Sequence, residues 1–167
     1  MEIYKDRIYK MENRSINIEY KEYGSWSELD KDDLKLLEAA YSAANASYAP
    51  YSKFNVGAAV LLGNGEILCG CNQENSAFPS GLCAERVALF HAGAKYPQAK
   101  ILAIAVTAIQ ALEPTYPCGA CRQVMVESEK RSNDAIKLII GGKESVLVLN
   151  SCADILPFAF VDIPGNR

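Results

Sequence analysis

The sequence predicts an α/β protein, a three-layer α/β/α sandwich built on a mixed sheet of about five strands with the last two antiparallel. Three features carry that expectation. Segments of strand and helix character alternate through most of the 167 residues. The run from Ile101 to Ile109 is apolar with little alternation, which suits a central strand covered on both faces. Only Gly141-Gly142-Lys143-Glu144-Ser145 separates the runs Ile136–Ile140 and Val146–Leu149. That connection is too short for a crossover, so these strands lie antiparallel if they pair.

Residues 1–29 read as an N-terminal extension, in which Ile16, Ile18 and Tyr20 alternate with polar neighbours across Arg14–Tyr23 in the manner of an edge strand. A single domain is expected over residues 30–167. Asp30 is placed to cap its first helix, and Asp32 and Asp33 set negative charge in the first turn, where it complements the helix dipole. Leu34, Leu37, Tyr41 and Ala44 recur at spacings of three and four and mark an apolar stripe. The helix must stop before Pro50, since the residue preceding a proline disfavours helical geometry. Phe54–Leu62 and Glu66–Cys71 flank the turn former Gly63-Asn64-Gly65 and read as an antiparallel hairpin. Cys83–Ala94 reads as a second helix, apolar on nearly every side over Val87–Phe90 and therefore expected to be buried there. A third helix runs from about Gly119 to Lys130, ahead of the two short strands.

Half of the residues are hydrophobic and 22% are charged, which fits a folded domain with its own core and does not fit a disordered chain. The longest apolar run is far shorter than a bilayer span, and the start MEIYKDRIYKMENR lacks the apolar centre of a secretory signal. A cytoplasmic protein without membrane contact is expected. The pI near 5.3 and the balanced charges of the first 24 residues argue against a basic surface that grips nucleic acid.

Six cysteines accompany one histidine, His91. In a reducing compartment, clustered cysteines serve metals or catalysis more often than bridges. Cys83-Ala84-Glu85-Arg86 opens the second helix and Pro117-Cys118-Gly119-Ala120-Cys121-Arg122 opens the third, where free N–H groups and the dipole favour thiolates. Cys118 and Cys121 are three residues apart and can face one point. On a regular helix Cys83 and Glu85 would diverge by roughly 200°, so a shared site requires Cys83 at the cap or in an irregular first turn. Three thiolates can hold zinc and leave a fourth position for water, the arrangement of a catalytic centre. A closed structural site would need one more ligand. His91, about two turns further on, points elsewhere, whereas Cys69, Cys71 or Cys152 could complete such a site, although their apolar strand settings suit inert thiols.

The chain resembles the cytidine deaminase family over roughly residues 31 to 160. Its Cys-Ala-Glu and Pro-Cys-Gly-Ala-Cys segments match the H-x-E and P-C-x-x-C signature of zinc deaminases, in the three-cysteine form. Tyr48-Ala49-Pro50-Tyr51-Ser52-Lys53-Phe54 with Val56-Gly57-Ala58, then Asn72-Gln73-Glu74-Asn75, resemble the family's nucleoside-binding segments, and Leu156-Pro157-Phe158-Ala159-Phe160 resembles its closing motif. The resemblance implies one zinc ion per subunit on Cys83, Cys118 and Cys121, with Glu85 moving protons as an activated water attacks C4 of cytidine or deoxycytidine. It implies that Phe54 packs on the base, that Asn72 and Glu74 bind the ribose hydroxyl beside Gln73, and that the backbone of Ala84 meets the base. It further implies that Arg86 donates to a zinc thiolate, offsetting the −1 charge of zinc with three thiolates. Arg122 is open between such a role and a surface one. Phe160 is expected to enter a neighbouring subunit's pocket in a homotetramer with shared active sites. Phe78 stands where the family often has tyrosine, keeping an aromatic ring without the hydroxyl.

Three other readings compete. A different cytosine-containing nucleoside, such as an antibiotic of that type, would use the same chemistry. Polynucleotide editing is disfavoured, because the short connection after the fifth strand leaves no room for the helix that editing relatives place there. A zinc-stabilised binding module predicts four protein ligands and no ammonia release.

Overall fold

The strands send alternate side chains into two separate cores, one on each face of a single six-stranded sheet. The computed structural model describes residues 11–162; the first ten residues of the extension and the last five of the 30–167 segment lie outside them. In chain order the elements are β1 (Tyr20–Tyr23), α1 (Lys31–Ala44), β2 (Val56–Leu62), β3 (Ile67–Cys71), α2 (Ala84–Lys95), β4 (Ile101–Ala108), α3 (Gly119–Ser132), β5 (Lys137–Gly141) and β6 (Val146–Leu149). Short 3-10 turns occupy Trp26–Glu28, Phe78–Ser80 and Cys152–Ile155.

The sheet order is β1-β6-β5-β4-β2-β3, with β4 and β5 parallel and every other neighbouring pair antiparallel. The mixed sheet, the hairpin and the antiparallel last pair agree with expectation. The count is six strands instead of about five, because β1 pairs with β6. That strand is shorter than the alternation from Arg14 suggested: β6 offers four partners, Val146 to Leu149, and they engage only Tyr20 to Tyr23.

On one face α1 covers the sheet with Leu36, Leu37 and Ala40 against Ala59, Ala103, Ala105 and Ile139. The stripe is rotated from the predicted one. Leu36, Leu37, Ala40 and Ala44 are buried, while Leu34 and Tyr41 sit at the rim, where Tyr41 meets the edge of the Trp26 ring at 5.6 Å. Trp26 also donates its indole N–H to the Gly142 carbonyl at 2.6 Å, and with Tyr23 it packs on the core beside Val146 and Val148. On the other face lie Ala84, Ala88, Leu89 and Ala92 of α2 and Met125 of α3, over Val60, Ile104, Val106, Leu138 and Ile140. The expectation that Val87–Phe90 is wholly buried is corrected: Phe90 is 51% exposed and Val87 half-buried. Residues Ala84, Ala88, Leu89 and Ala92 already fill the inward face, and Phe90 projects from the opposite one.

Two glycines set the closeness of the helix-to-sheet contacts. A Cβ on Gly57 would lie 1.9 Å from the Ala40 carbonyl oxygen, and one on Gly70 would lie 2.4 Å from the Ala88 nitrogen and 2.8 Å from the Ala84 oxygen. The backbone of α2 therefore rests directly on β3, which fixes where its N-terminus falls. Among the described residues, no helix is long and apolar enough to cross a membrane.

Candidate metal centre and active site

Three thiols converge where α2 and α3 begin. Cys83 is the N-cap of α2, with φ −71° and ψ 154°, and Cys118 is the N-cap of α3, with φ −68° and ψ 164°. Both are extended, so the chain turns into the helix immediately after each cysteine. This meets the requirement that Cys83 lie outside the regular helix if it is to share a site with Glu85. Cys121 follows in the first turn of α3.

The sulfurs of Cys83 and Cys118 are 3.8 Å apart, those of Cys118 and Cys121 3.5 Å apart, and all three ligand atoms lie within 4.8 Å of one another. Four-coordinate zinc with Zn–S bonds of about 2.3 Å sets its sulfurs roughly 3.8 Å apart, so the trio fits one Zn2+. Among the described residues no further His, Cys, Asp or Glu joins this cluster. Cys69, Cys71 and Cys152 are free thiols elsewhere; Cys152 is buried and burial pushes its pKa up, as an inert thiol requires.

Neither cysteine cap bonds a helix N–H with its side chain, so the free amides and dipoles of two helices face this centre. Cys83 is held well below a free thiol by a hydrogen bond from Cys121 and then by the Arg86 guanidinium, against the cost of burial. Cys121 is correspondingly pushed up, first by its bond to Cys83 and then by burial. Arg86 places Nη2 3.8 Å from the Cys83 sulfur, and its Nε is buried without a partner. Arg122 does something else. Its Nε donates to the Pro117 carbonyl at 2.8 Å and its Nη1 to the Ile155 carbonyl at 3.1 Å, so it braces the turn that enters α3.

Glu85 is 4% exposed at the start of α2. Burial raises its pKa, and the nearby Cys83 charge pushes the same way. A carboxyl so placed can hold a proton near neutral pH more readily than a solvated one.

A cavity of about 540 Å³ opens beside the cluster, lined by Tyr51, Ser52, Asn72, Gln73, Glu74 and Phe78 with Cys83 and Arg86. Two of its polar groups also brace the walls. Asn72 Oδ1 accepts from the Val56 N–H at 2.9 Å and its Nδ2 donates to the Phe54 carbonyl at 2.9 Å, so this side chain clamps the backbone on both sides of Asn55. Glu74 accepts from the Tyr51 N–H at 2.8 Å and from the Ser52 N–H, and the Ser52 hydroxyl first and then these N–H groups hold its pKa below the usual carboxylate range. Gln73 pairs its backbone with Leu82, and its side chain donates to Cys71 Sγ at 3.3 Å. Phe54 is 38% exposed and does not line the cavity, and Ala84 is wholly buried beneath Gly70. Phe160 is 67% exposed on the tail beside α3, also outside the lining. Leu82 and Gly81 line the cavity unforeseen; an ordinary loop residue just before a ligand cysteine carries no signal of its own.

Residues 30–133 match the model of the cytidine and deoxycytidylate deaminase zinc-binding region. The chain belongs to that deaminase family. Its relatives in the family include the cytidine deaminase of Halalkalibacterium halodurans, 38% identical over 131 residues covering 77% of this chain and 94% of that one. The cytidine deaminase of Mycobacterium tuberculosis is 41% identical over 147 residues, covering 83% and 98%. Among solved structures, cytidine deaminase from Burkholderia pseudomallei superposes with a TM-score of 0.69 at 41% identity, covering 75% of this chain and 97% of that one. The three-cysteine zinc centre and the α/β/α sheet are thus those of a family of hydrolytic deaminases.

Proposed function

We propose that this chain catalyses hydrolytic deamination of cytidine and deoxycytidine to uridine and deoxyuridine with release of ammonia, in pyrimidine salvage. The observation that carries the reading is a buried carboxyl, Glu85, set two residues after Cys83, a zinc-fitting thiol that itself lines a nucleoside-sized cavity with amide and carboxylate walls. Cys83, Cys118 and Cys121 would hold the zinc, which when bound supplies Lewis acidity that makes water a nucleophile near neutral pH.

The protein's own groups do the rest. Glu85 takes one proton of the attacking water and passes it to ring N3; it then takes the remaining proton from the new C4 hydroxyl and delivers it to the amine, so the C4–N bond breaks, ammonia leaves and C4 keeps the oxygen as a carbonyl. Its raised pKa suits a group that both accepts and returns a proton. Arg86 donates toward Cys83 and withdraws charge from the thiolates. Phe54 packs on the base, and Asn72 and Glu74 orient the sugar from positions already braced by the 51–56 backbone, with Gln73 beside them. The Ala84 backbone, at the N-terminus of α2, meets the base edge. A site that pairs a polar group with a sugar hydroxyl rejects analogues that lack it.

In this reading residues 30–167 form the deaminase domain and residues 1–29 an addition to it. The protein acts in the cytoplasm, where three free thiols stay reduced, as a homotetramer in which Phe160 of one copy closes the pocket of another. Neither nucleic acid nor membrane is a partner. Purified zinc-loaded protein incubated with cytidine should yield uridine and ammonia, and Glu85→Gln should lower kcat by about 10²- to 10⁴-fold with zinc content unchanged. Absence of turnover at full zinc occupancy, or an active Glu85→Gln variant, refutes it.

A further inference from the structure

Residues 160–162 are tied to α3 at several points. Gln123, on the outer face of α3, donates from Nε2 to the Phe160 carbonyl at 2.6 Å and accepts from the Phe160 N–H at Oε1 at 3.3 Å. Two turns along the same helix, Lys130 donates to the Val161 carbonyl and pairs with Asp162 at 3.0 Å. Earlier in the segment Glu129 accepts from Ser151 Oγ at 2.7 Å and from the Cys152 N–H at 2.8 Å. The backbone is fixed on both sides of Phe160, yet its ring is 67% exposed, and neighbouring Phe158 is 91% exposed. Terminal segments ordinarily fray, and ordering a residue costs roughly 1–2 kcal/mol in conformational entropy. A buried ring would repay that cost within the subunit. This ring does not.

We infer that Gln123 is a positioning residue for the deamination reaction: its two-point clasp presents Phe160, pre-ordered, to the nucleoside pocket of a second copy of this chain. The inference rests on the proposed role of Phe160 and adds the device that aims it. A side chain ordered before docking forfeits less freedom on binding, so the clasp contributes through substrate affinity and leaves bond-breaking untouched. Position 123 suits the task because α3 also carries Cys121 and has Cys118 as its N-cap residue, which ties the tail to the frame that holds the metal ligands.

The test uses full-length zinc-loaded protein with cytidine, comparing wild type, Gln123→Leu, Phe160→Ala and the double variant. Loss of an aromatic contact predicts a KM rise of about 2- to 12-fold for Phe160→Ala. Gln123→Leu should raise KM by a smaller factor in that range, with kcat, zinc content, Tm and tetramer mass unchanged, and hydrogen exchange at the Phe160 amide should quicken. On the Phe160→Ala background Gln123→Leu should add nothing. A merely structural role would lower Tm or kcat and would add to the Phe160→Ala effect, which overturns the inference, as does an unchanged KM in Gln123→Leu. If Phe160→Ala leaves KM unchanged, the role of Phe160 falls and this inference falls with it. If wild type neither binds nor converts cytidine, the deaminase reading falls first.

Discussion

Gly70→Ala tests the link between packing and chemistry most directly. The added Cβ would sit 2.4 Å from the Ala88 nitrogen, 2.8 Å from the Ala84 oxygen and 3.0 Å from the Ala88 Cα. All three are backbone atoms of α2, so no side chain can rotate aside. Restoring ordinary contact near 3.5 Å requires the helix to retreat by about 1 Å. Overpacking of this kind costs about 1–3 kcal/mol, which in a chain of this size lowers Tm by about 2–4 °C for each kcal/mol. The functional effect should be larger. Cys83 and Glu85 travel with α2 whereas Cys118 and Cys121 stay with α3, and a misplacement of about 1 Å can cost about 10²-fold in rate. Differential scanning calorimetry, zinc analysis and steady-state kinetics should be run beside Gly63→Ala, whose Cβ would lie 3.7 Å from its nearest neighbours. If Gly70→Ala matches that control in Tm and kcat, the reasoning that α2 is seated by backbone contact is wrong.

Further substitutions probe individual terms. Thr107 is 1% exposed and its Oγ1 has no hydrogen-bond partner, so Thr107→Val should stabilise the fold by about 1 kcal/mol in urea denaturation; destabilisation would mean that the hydroxyl is satisfied. Asp30 caps α1 by accepting from the Asp32 and Asp33 N–H groups, so Asp30→Ala should cost about 1 kcal/mol at neutral pH. The Asp33 N–H bond leads the causes that hold the Asp30 pKa below its ordinary value. That contribution is therefore present above the unfolded carboxylate pKa and is lost as pH falls through the lower folded one. The stability gap between variant and wild type should close in the acid limb of a pH titration, and a gap that persists there counts against the cap.

What could be read from sequence was local. Gly63-Asn64-Gly65 specifies a turn by its own backbone freedom, Asp30 caps the helix it precedes, and the Gly141–Ser145 connection fixes strand direction by length alone. The cysteine spacing was equally legible, since thiols at two helix starts need only the helices to meet. The misjudged residues depend on distant partners. Tyr41 lies at the rim because Trp26, fifteen positions earlier by sequence number, bonds Gly142 and brings its ring to the helix. Phe90 is exposed because Ala88, Leu89 and Ala92 already fill the space between α2 and the sheet. Sequence does not place Arg122, because its bond to Ile155 depends on a loop 33 positions away. None of these contacts leaves a periodicity to detect.

The helix starts themselves separate stability from function. At α1 an aspartate carboxylate occupies two of the free N–H groups; at α2 and α3 a cysteine stands in the same place and caps neither. An aspartate cap exceeds an uncapped start by about 0.5–2 kcal/mol, so the two cysteines concede stability that metal ligation must restore. Cys118→Asp separates the terms, because this residue is exposed and the first turn of α3 holds no acidic group. In zinc-free buffer with chelator the variant should be more stable than wild type, by about 1 kcal/mol. With zinc present the order should reverse, because wild type alone keeps all three thiolates and ligand binding stabilises the folded state that holds it. Paired thermal melts with and without chelator read both signs. A variant less stable than wild type in both conditions would mean that Cys118 stabilises the fold through its packing, and that the uncapped start concedes nothing.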